Sequence, residues 1–397
     1  MSSFADSVKE RRPLLVSASP HIRDTEDVPR IMWTVAGVLV VPGLYGIVVF
    51  GLRQPAVGWN ALSVLLISLA ACVGTEYAVG LVLRRGTTVS DGSAVVTGLL
   101  LAYVLSPLSP WYVPLVGGMV AIGIVKMAFG GLGYNIWNPA LAARAFLLAS
   151  WSVALVSTWV TPQVRLGELS RTNDQLTAAQ VDAVTAATPL SAKKRSLQAY
   201  NDIVSTYKER RAKGEDVELA ADVPRGTPRE VLTELRARNR TSLVDLLLGF
   251  RGGCLGETCV VLLVLGGVVL VACGYIRWYV PVLYVGTVAL LTWALPVRVE
   301  MPDGPARLVA FAGKPLFNIL SGGLMLGAIY MATDMVTTPL SRAGLVIFAL
   351  GCGILTSIIR LYGGYPEGVA YSILLMNTAT PLIDRFSKPK TFGAVGK

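Results

Sequence analysis

The stretch that decides the fold is residues 31–52, IMWTVAGVLVVPGLYGIVVFGL, an apolar run without a charged side chain. About 20 consecutive apolar residues suffice for a helix to cross the hydrocarbon core of a bilayer. A second run follows at Asn60–Leu83 and carries one ionisable group, Glu76. These two segments predict a chain that crosses a membrane more than once.

The composition agrees with this interpretation. Of the 397 residues, 53% are hydrophobic and only 15% are charged, whereas an ordinary soluble domain carries about a quarter charged residues. The low charge excludes a disordered chain and argues against a soluble enzyme. In a soluble protein the net charge of +10 would suggest a nucleic-acid partner. Here much of the positive charge lies outside the apolar segments, so we expect a lipid membrane and no nucleic acid.

Ten apolar segments are predicted, five on each side of a long polar interval. The third has only 13 residues before Ser106-Pro107 and Pro110, which makes it too short to span alone and predicts a broken helix. This third segment is Ser93–Leu105. The other seven segments are Trp111–Phe129, Pro139–Val160, Cys254–Ile276, Tyr279–Val297, Leu316–Thr333, Ala343–Leu361 and Gly368–Ile383.

The two groups of five resemble each other. Each has a short third segment followed by a proline-containing break, at Pro110 and Pro339, and a fourth segment that ends in Gly-Gly. A repeated unit with an odd number of spans lies in opposite orientations in its two copies. We therefore predict an all-α polytopic membrane protein with about ten transmembrane segments in two inverted five-segment repeats with broken helices, plus a polar loop region.

Lysine and arginine near the span ends predict the orientation, because they collect in cytoplasmic loops. Eleven lie on the side of the N-terminus and four in the short loops of the opposite side. Both termini are therefore expected in the cytoplasm. The predicted regions are a cytoplasmic arm (1–30), a first membrane repeat (31–160), an extracytoplasmic polar region (161–245), a second membrane repeat (246–385) and a cytoplasmic tail (386–397).

Residue types limit the possible electron carriers. The five cysteines form no CxxC pair, and His21 is the single histidine. Bis-histidine haem, zinc and iron–sulfur sites within this chain are therefore not expected. If the chain handles electrons on its own, an organic cofactor must carry them.

Several ionisable residues fall within or at the ends of the predicted spans. A charge in hydrocarbon is costly, so such side chains usually face a cavity or a partner. An ion pathway, polar contacts to a cofactor, internal ion pairs and snorkelling are all open interpretations. The residues are Glu76, Lys126, Arg144, Glu257 and Asp334.

Two polar motifs add to the candidate functional residues. The run GGLGYNIWNP at 130–139 offers the amides of Asn135 and Asn138 and glycines that permit close approach of a ligand, although a tight turn between helices accounts for it as well. In the polar interval, residues 182–188 read DAVTAAT. Composition alone gives this segment no role beyond that of a loop of small residues and hydroxyls.

The second motif resembles the flavinylation sequence Asp-x-x-[Ser/Thr]-Gly-Ala-Thr, with Ala186 in place of the glycine. Further segments resemble the D subunit of the Rnf electron-transport complex and, less fully, the B subunit of the sodium-pumping NADH:quinone oxidoreductase. They cover roughly residues 15–195 and 242–392. The matching segments include SPHIR (19–23), DGSAVVTGLL (91–100), GGLGYNIWNPA (130–140), GCLGET (253–258), ATD (332–334) and GGYPEGVA (363–370).

The resemblance implies FMN joined covalently to Thr188 by a flavin transferase, with Asp182 and Thr185 of the same motif as further cofactor-binding residues. It implies a second, non-covalent flavin such as riboflavin within the membrane, for which Arg144, Asn135 and Asn138 are the candidates.

The same resemblance implies a subunit that is not catalytic alone, because the chain lacks a dinucleotide fingerprint and cluster cysteines. Its partners would be other Rnf subunits in a bacterial cytoplasmic membrane. The complex would move electrons between ferredoxin and NAD and couple them to Na⁺ or H⁺ movement, with Glu76, Glu257 and Asp334 in the ion pathway. The alternative from another class is a solute channel or transporter of inverted-repeat fold without a redox role.

Overall fold

The computed structural model describes residues 26–52, 54–84, 88–152, 155, 188–215, 218, 223–238, 242–363 and 368–387. Within these ranges the chain is mostly helical. The first half contains five helices, two of which are long: α1 (Val28–Gly51) and α2 (Pro55–Val82). The other three are α3 (Ser93–Tyr103), α4 (Tyr112–Met119, continued as a π-helix over Val120–Met127) and α5 (Pro139–Ser150).

The described part of the second half contains six helices. Its helices are α9 (Val260–Ala272), α10 (Tyr279–Ala294), α11 (Pro315–Leu320), α12 (Leu324–Leu326, continued as a π-helix over Gly327–Met331), α13 (Arg342–Tyr362) and α14 (Val369–Phe386). Short 3₁₀ turns at Val89–Asp91 and Leu255–Glu257 precede α3 and α9. Both α3 and α12 with its π-turn are too short to cross a bilayer, and the two inverted repeats remain a prediction.

Within the described part of the chain, three helices are long and apolar enough to span a membrane: α1, α2 and α13. Five more are apolar but shorter, so the structure has the character of a polytopic membrane protein, and ten spans remains a prediction. The outward faces support a lipid environment. On α1, Val41, Leu44 and Val48 are each more than half exposed, and such a contiguous apolar surface is typical of a membrane or partner contact.

The polar interval holds regular structure rather than the predicted loop. From Thr188 onward it forms α6 (Pro189–Ala212), α7 (Pro228–Arg238) and α8 (Leu243–Leu248). The prediction of an all-α chain also missed an antiparallel hairpin of β1 (Val297–Met301) and β2 (Gly304–Val309).

These polar-region elements share a small apolar core of their own. The hairpin covers α6 and α7 because every second residue of its strands turns inward, as strand geometry requires. The core is formed by Tyr200, Val204, Val223, Val231, Leu232, Leu235, Val299 and Val309.

The large core joins the two halves. Tyr103 at the end of α3 is fully buried, and its hydroxyl donates to the carbonyl oxygen of Leu39. A Cβ added at Gly256 would lie 2.4 Å from Cβ of Tyr103, so only glycine permits this approach. The backbone N–H of Leu255 also donates to the carbonyl oxygen of Leu105, at 3.2 Å. The end of α3 in the first half therefore packs against the 3₁₀ turn that precedes α9 in the second half.

Candidate functional site

A buried ion pair lies between α2 and the π-helical part of α4. The Lys126 ammonium is 2.8 Å from Oε1 of Glu76, and each residue is only 1% exposed. An unpaired charge in such surroundings would be strongly disfavoured. Each side chain therefore compensates the charge of the other, as one of the sequence interpretations proposed.

The start of α3 extends this pair into a polar network. Nζ of Lys126 also donates to Oγ of Ser93, at 2.5 Å. Ser93 in turn donates from both N–H and O–H to the Asp91 carboxylate, at 2.8 and 2.5 Å. The Thr88 hydroxyl donates to Oε1 of Glu76, at 2.5 Å, and Oε2 of Glu76 has no hydrogen-bond partner among the described residues. One carboxylate oxygen is thus left for a further donor or a cation.

A cavity of about 90 Å³ opens on the other side of Lys126. It brings together Lys126, Ser93, Asn135, Asn138 and Asp334, which come from the first and the second half of the chain. Asp334 follows the π-turn after α12, and its carboxylate accepts from N–H of Val336 and the Thr337 hydroxyl, both at 3.3 Å. Glu76, Lys126 and Asp334 therefore belong to one polar region.

The glycine-rich run closes this cavity as a tight turn. Gly130, Gly131 and Gly133 have φ values of +121°, +100° and +96°, a region that side-chain-bearing residues rarely adopt. Asn138 caps α5, since its Oδ1 accepts from N–H of Leu141 at 3.3 Å. Oδ1 of Asn135 is buried without a hydrogen-bond partner among the described residues. The turn interpretation is confirmed, and Asn135 keeps an acceptor for a ligand.

Arg144 lies apart from the two asparagines. It lines a cavity of only about 20 Å³, together with Glu257 and Tyr103. Both charged residues are buried, with exposures of 8% and 3%. The residues proposed for the non-covalent flavin are thus divided between two cavities, and Glu257 lies with Arg144 rather than with Asp334.

Thr188 is the N-cap of α6. Its Oγ1 accepts from N–H of Ser191 at 3.3 Å and its hydroxyl donates to Oγ of the same serine at 2.9 Å. Its ψ of 149° is non-helical, as the following Pro189 favours. The side chain is 2% exposed, which differs from the accessible hydroxyl expected from the sequence. Asp182 and Thr185 lie outside the described residues.

The start of α6 suits a phosphate. A helix N-terminus presents unsatisfied N–H groups and the positive end of the helix dipole, and α6 has 24 residues. A phosphodiester on Oγ1 of Thr188 would lie at this end. The residues present therefore fit a flavin attached through its phosphate.

A profile of the NQR2, RnfD, RnfE family matches residues 15–393. The chain belongs to this family. The similarity extends over whole chains, as two relatives show. The D subunit of the proton-translocating ferredoxin:NAD(+) oxidoreductase complex of Clostridium ljungdahlii is 41% identical, over 98% of this chain and 99% of the relative. The D subunit of the Na(+)-translocating ferredoxin:NAD(+) oxidoreductase complex of Acetobacterium woodii is 40% identical, over 96% and 95%.

A third relative, the D subunit of the ion-translocating oxidoreductase complex of Stutzerimonas stutzeri, is 35% identical over 92% of both chains. The first two relatives are named for different ions, yet they are almost equally similar to this member of the NQR2, RnfD, RnfE family. Overall identity to the two relatives therefore does not distinguish between the ions for which they are named.

Sequence reasoning found the charged residues of this family member but not their partners. Ser93 and Asp91 belong to the quoted DGSAVVTGLL segment, where nothing marked them as contacts of Lys126. Thr88 carried no signal. Glu76 and Lys126 are 50 positions apart, and their opposite charges in apolar runs were the one available indication that they pair.

Proposed function

We propose that this chain is the membrane flavoprotein subunit of an ion-translocating ferredoxin:NAD oxidoreductase complex. The observation that carries the proposal is the similarity to the D subunits of such complexes over almost the whole chain, with 41% identity to one of them. The other Rnf-type subunits would supply ferredoxin and NAD chemistry. This chain would contribute electron relay and part of the ion movement.

Thr188 would hold FMN through a phosphodiester to Oγ1. A bound flavin supplies one- and two-electron transfer, and the protein fixes its position and tunes its potential. Since the hydroxyl is buried in the first turn of α6, attachment by a transferase requires this turn to open. The bond to N–H of Ser191 can persist afterwards, because the ester oxygen still accepts.

The topology proposed is ten spans in two inverted repeats with both termini in the cytoplasm. Contacts at the two polar ends support it. On the proposed inner side, the Tyr275 hydroxyl donates to Glu26 at 2.6 Å. On the proposed outer side, Lys208 of α6 pairs with Glu300 of the hairpin at 3.1 Å, and the Tyr362 hydroxyl donates to the carbonyl oxygen of Pro296 at 2.8 Å. Each contact joins segments assigned to the same side.

The ion pathway would use Glu76 and Asp334 on the inner side and Glu257 near the centre. In the observed conformation, Lys126 occupies the carboxylate of Glu76. A cation that reaches Glu76 must therefore displace the ammonium or bind at the remaining oxygen, Oε2. This makes Lys126 a competitor for the transported ion.

In-gel fluorescence of denatured protein tests the redox part of the proposal. The full chain, co-expressed with its transferase, should show a flavin band, and Thr188→Ala should abolish it. Thr185→Ala serves as the matched control, because it removes a neighbouring hydroxyl and should at most reduce the band. A wild-type chain without a band would favour a transporter without a redox role.

A further inference from the structure

A second, larger cavity lies beside α6, away from the ion pair. Its volume is about 290 Å³, close to the lower end of small-molecule sites, at roughly 300 Å³. It lies between α6, α7 and the ends of α10 and α13. Much of its wall is apolar, formed by Leu190, Leu197, Leu232, Leu235 and Leu361. We call it the cationic cavity, for the residues that line its remainder.

Five cations line this cavity: Lys193, Lys194, Arg236, Arg298 and Arg360. Among the described residues of its wall there is no aspartate or glutamate. Arg298 is paired outside the wall, since its Nη2 lies 2.7 Å from Oε1 of Glu300. Lys193, Lys194 and Arg236 contribute positive charge to the same wall.

Carbonyl oxygens orient two of these cations. Nζ of Lys194 donates to the carbonyl oxygens of Arg360, at 3.3 Å, and Gly363. The Arg360 guanidinium donates to the carbonyl oxygens of Asn318 and Ser321, at 2.5 and 3.3 Å. Carbonyl groups satisfy the hydrogen bonds of Lys194 without cancelling its charge, so this ammonium stays positive at the cavity wall.

Lys193 lies close to several other cations of this wall. Its Nζ is 4.9 Å from the centroid of the Phe317 ring, a cation–π distance. Burial, together with the nearby charges of Arg236, Lys314 and Arg360, lowers its pKa from the ordinary 10.5 to about 7. Burial also lowers the pKa of Arg236. Clustered cations of this kind are disfavoured in an empty site, and an anion would relieve the repulsion.

We propose that the cationic cavity binds an oxyanion of the phosphate type, carried by an organic ligand whose apolar part lies along the leucine wall. Arginine and lysine are the side chains that recognise such groups. Two sources share this chemistry. One is the flavin phosphate on Thr188, two residues before Leu190, and this source alone rests on the proposed function. The other is the headgroup of an anionic phospholipid.

Sulfate binding tests the site without either source. The Thr188→Ala chain, reconstituted in phosphatidylcholine nanodiscs, contains neither attached flavin nor anionic lipid. Equilibrium dialysis with radiolabelled sulfate should then give one saturable site per chain. Lys193→Gln and, independently, Arg236→Gln should weaken sulfate binding by about tenfold or more, since each removes a charged hydrogen-bond donor to the anion.

Arg195→Gln is the matched control, because Arg195 is exposed on the same helix and the substitution changes the net charge equally. It should leave sulfate binding unchanged. Absence of saturable binding, or equal weakening by Arg195→Gln, would overturn the proposal. Thermal melting of each variant identifies one that fails to fold, and the two independent cavity substitutions keep the test decisive.

Two further preparations identify the source. Loss of sulfate binding in the flavin-carrying wild type assigns the cavity to the flavin phosphate. Loss in phosphatidylglycerol nanodiscs assigns it to a lipid headgroup. Sulfate binding in a chain that never acquires a flavin would support the cavity while removing the flavin part of the proposed function, so the two failures are distinguishable.

Discussion

Nζ of Lys126 lies 2.8 Å from Oε1 of Glu76, in the interior of a helix bundle that is apolar on its outside. A charge at such depth is costly without a partner. Each buried charge is stabilised only while the other is present. A cation that competes for the Glu76 carboxylate would therefore disturb both side chains. Most of the testable consequences of the structure follow from the charged residues of this interior and of the cationic cavity.

The first prediction concerns stability. Lys126→Met leaves the Glu76 carboxylate uncompensated and should lower the free energy of unfolding by about 3–5 kcal/mol. The double variant Glu76→Gln/Lys126→Met removes both charges and should recover a large part of this loss. Thermal melting in detergent measures both. Equal melting temperatures for the single and double variants would show that the two charges are not coupled.

The second prediction concerns ion coupling. Glu76→Gln and Asp334→Asn should weaken ion-dependent turnover of the assembled complex while flavin content stays at the wild-type level. Glu209→Gln, which replaces an exposed carboxylate on α6, is the control and should change neither quantity. Turnover against Na⁺ concentration and against pH measures the effect. Variants with unaltered ion dependence would remove these two residues from the pathway.

The third prediction concerns pH. Lys193 is charged below its pKa of about 7, and the charged groups that face it are cations: Lys194, Arg236, Arg298, Lys314 and Arg360. Sulfate stays dianionic from about pH 6 to 9, so only the protein titrates. Sulfate affinity of the Thr188→Ala chain should therefore fall as pH rises through 7. The decrease should be smaller in Thr188→Ala/Lys193→Gln, and an equal decrease in both would show that Lys193 is not the titrating group.

The fourth prediction concerns topology. Asp202→Cys places a thiol on the exposed face of α6, which the proposed orientation puts outside the cell. An impermeant maleimide should label this thiol in intact cells. Cys273 is the internal control, since it is exposed in the structure and lies at the proposed cytoplasmic end of the span Cys254–Ile276. Labelling at position 202 only after permeabilisation would reverse the topology.

The sequence predicted the features that depend on local composition. The apolar runs predicted membrane character, and the 13 residues before Pro107 predicted the short α3. A glycine-rich turn at 130–133 was one of two open interpretations. In each case the deciding residues are neighbours along the chain. The length of an apolar run, its periodicity and the local glycine content were therefore sufficient for the prediction.

Features built from distant residues were not predictable in the same way. The cationic cavity draws on Lys193, Arg236 and Arg360, which no local pattern connects. The β1–β2 hairpin lies in a short segment with alternating charges that resembled an ordinary loop. The π-helix over Val120–Met127 has the composition of an α-helix, and its extra residue per turn depends on packing against α2 and α5. Arg144 was grouped with Asn135 because both lie in one sequence block, whereas the structure divides them between two cavities.

Covalent attachment of FMN is the central claim, and the mass of one peptide tests it most directly. Trypsin should release residues 172–193 of the complex purified from its native membrane, and fragmentation can separate Thr185 from Thr188. We predict that this peptide is heavier by one FMN less one water, with the added mass on Thr188. An unmodified peptide, from a complex that retains its electron-transfer activity, would contradict covalent attachment and the electron relay built on it.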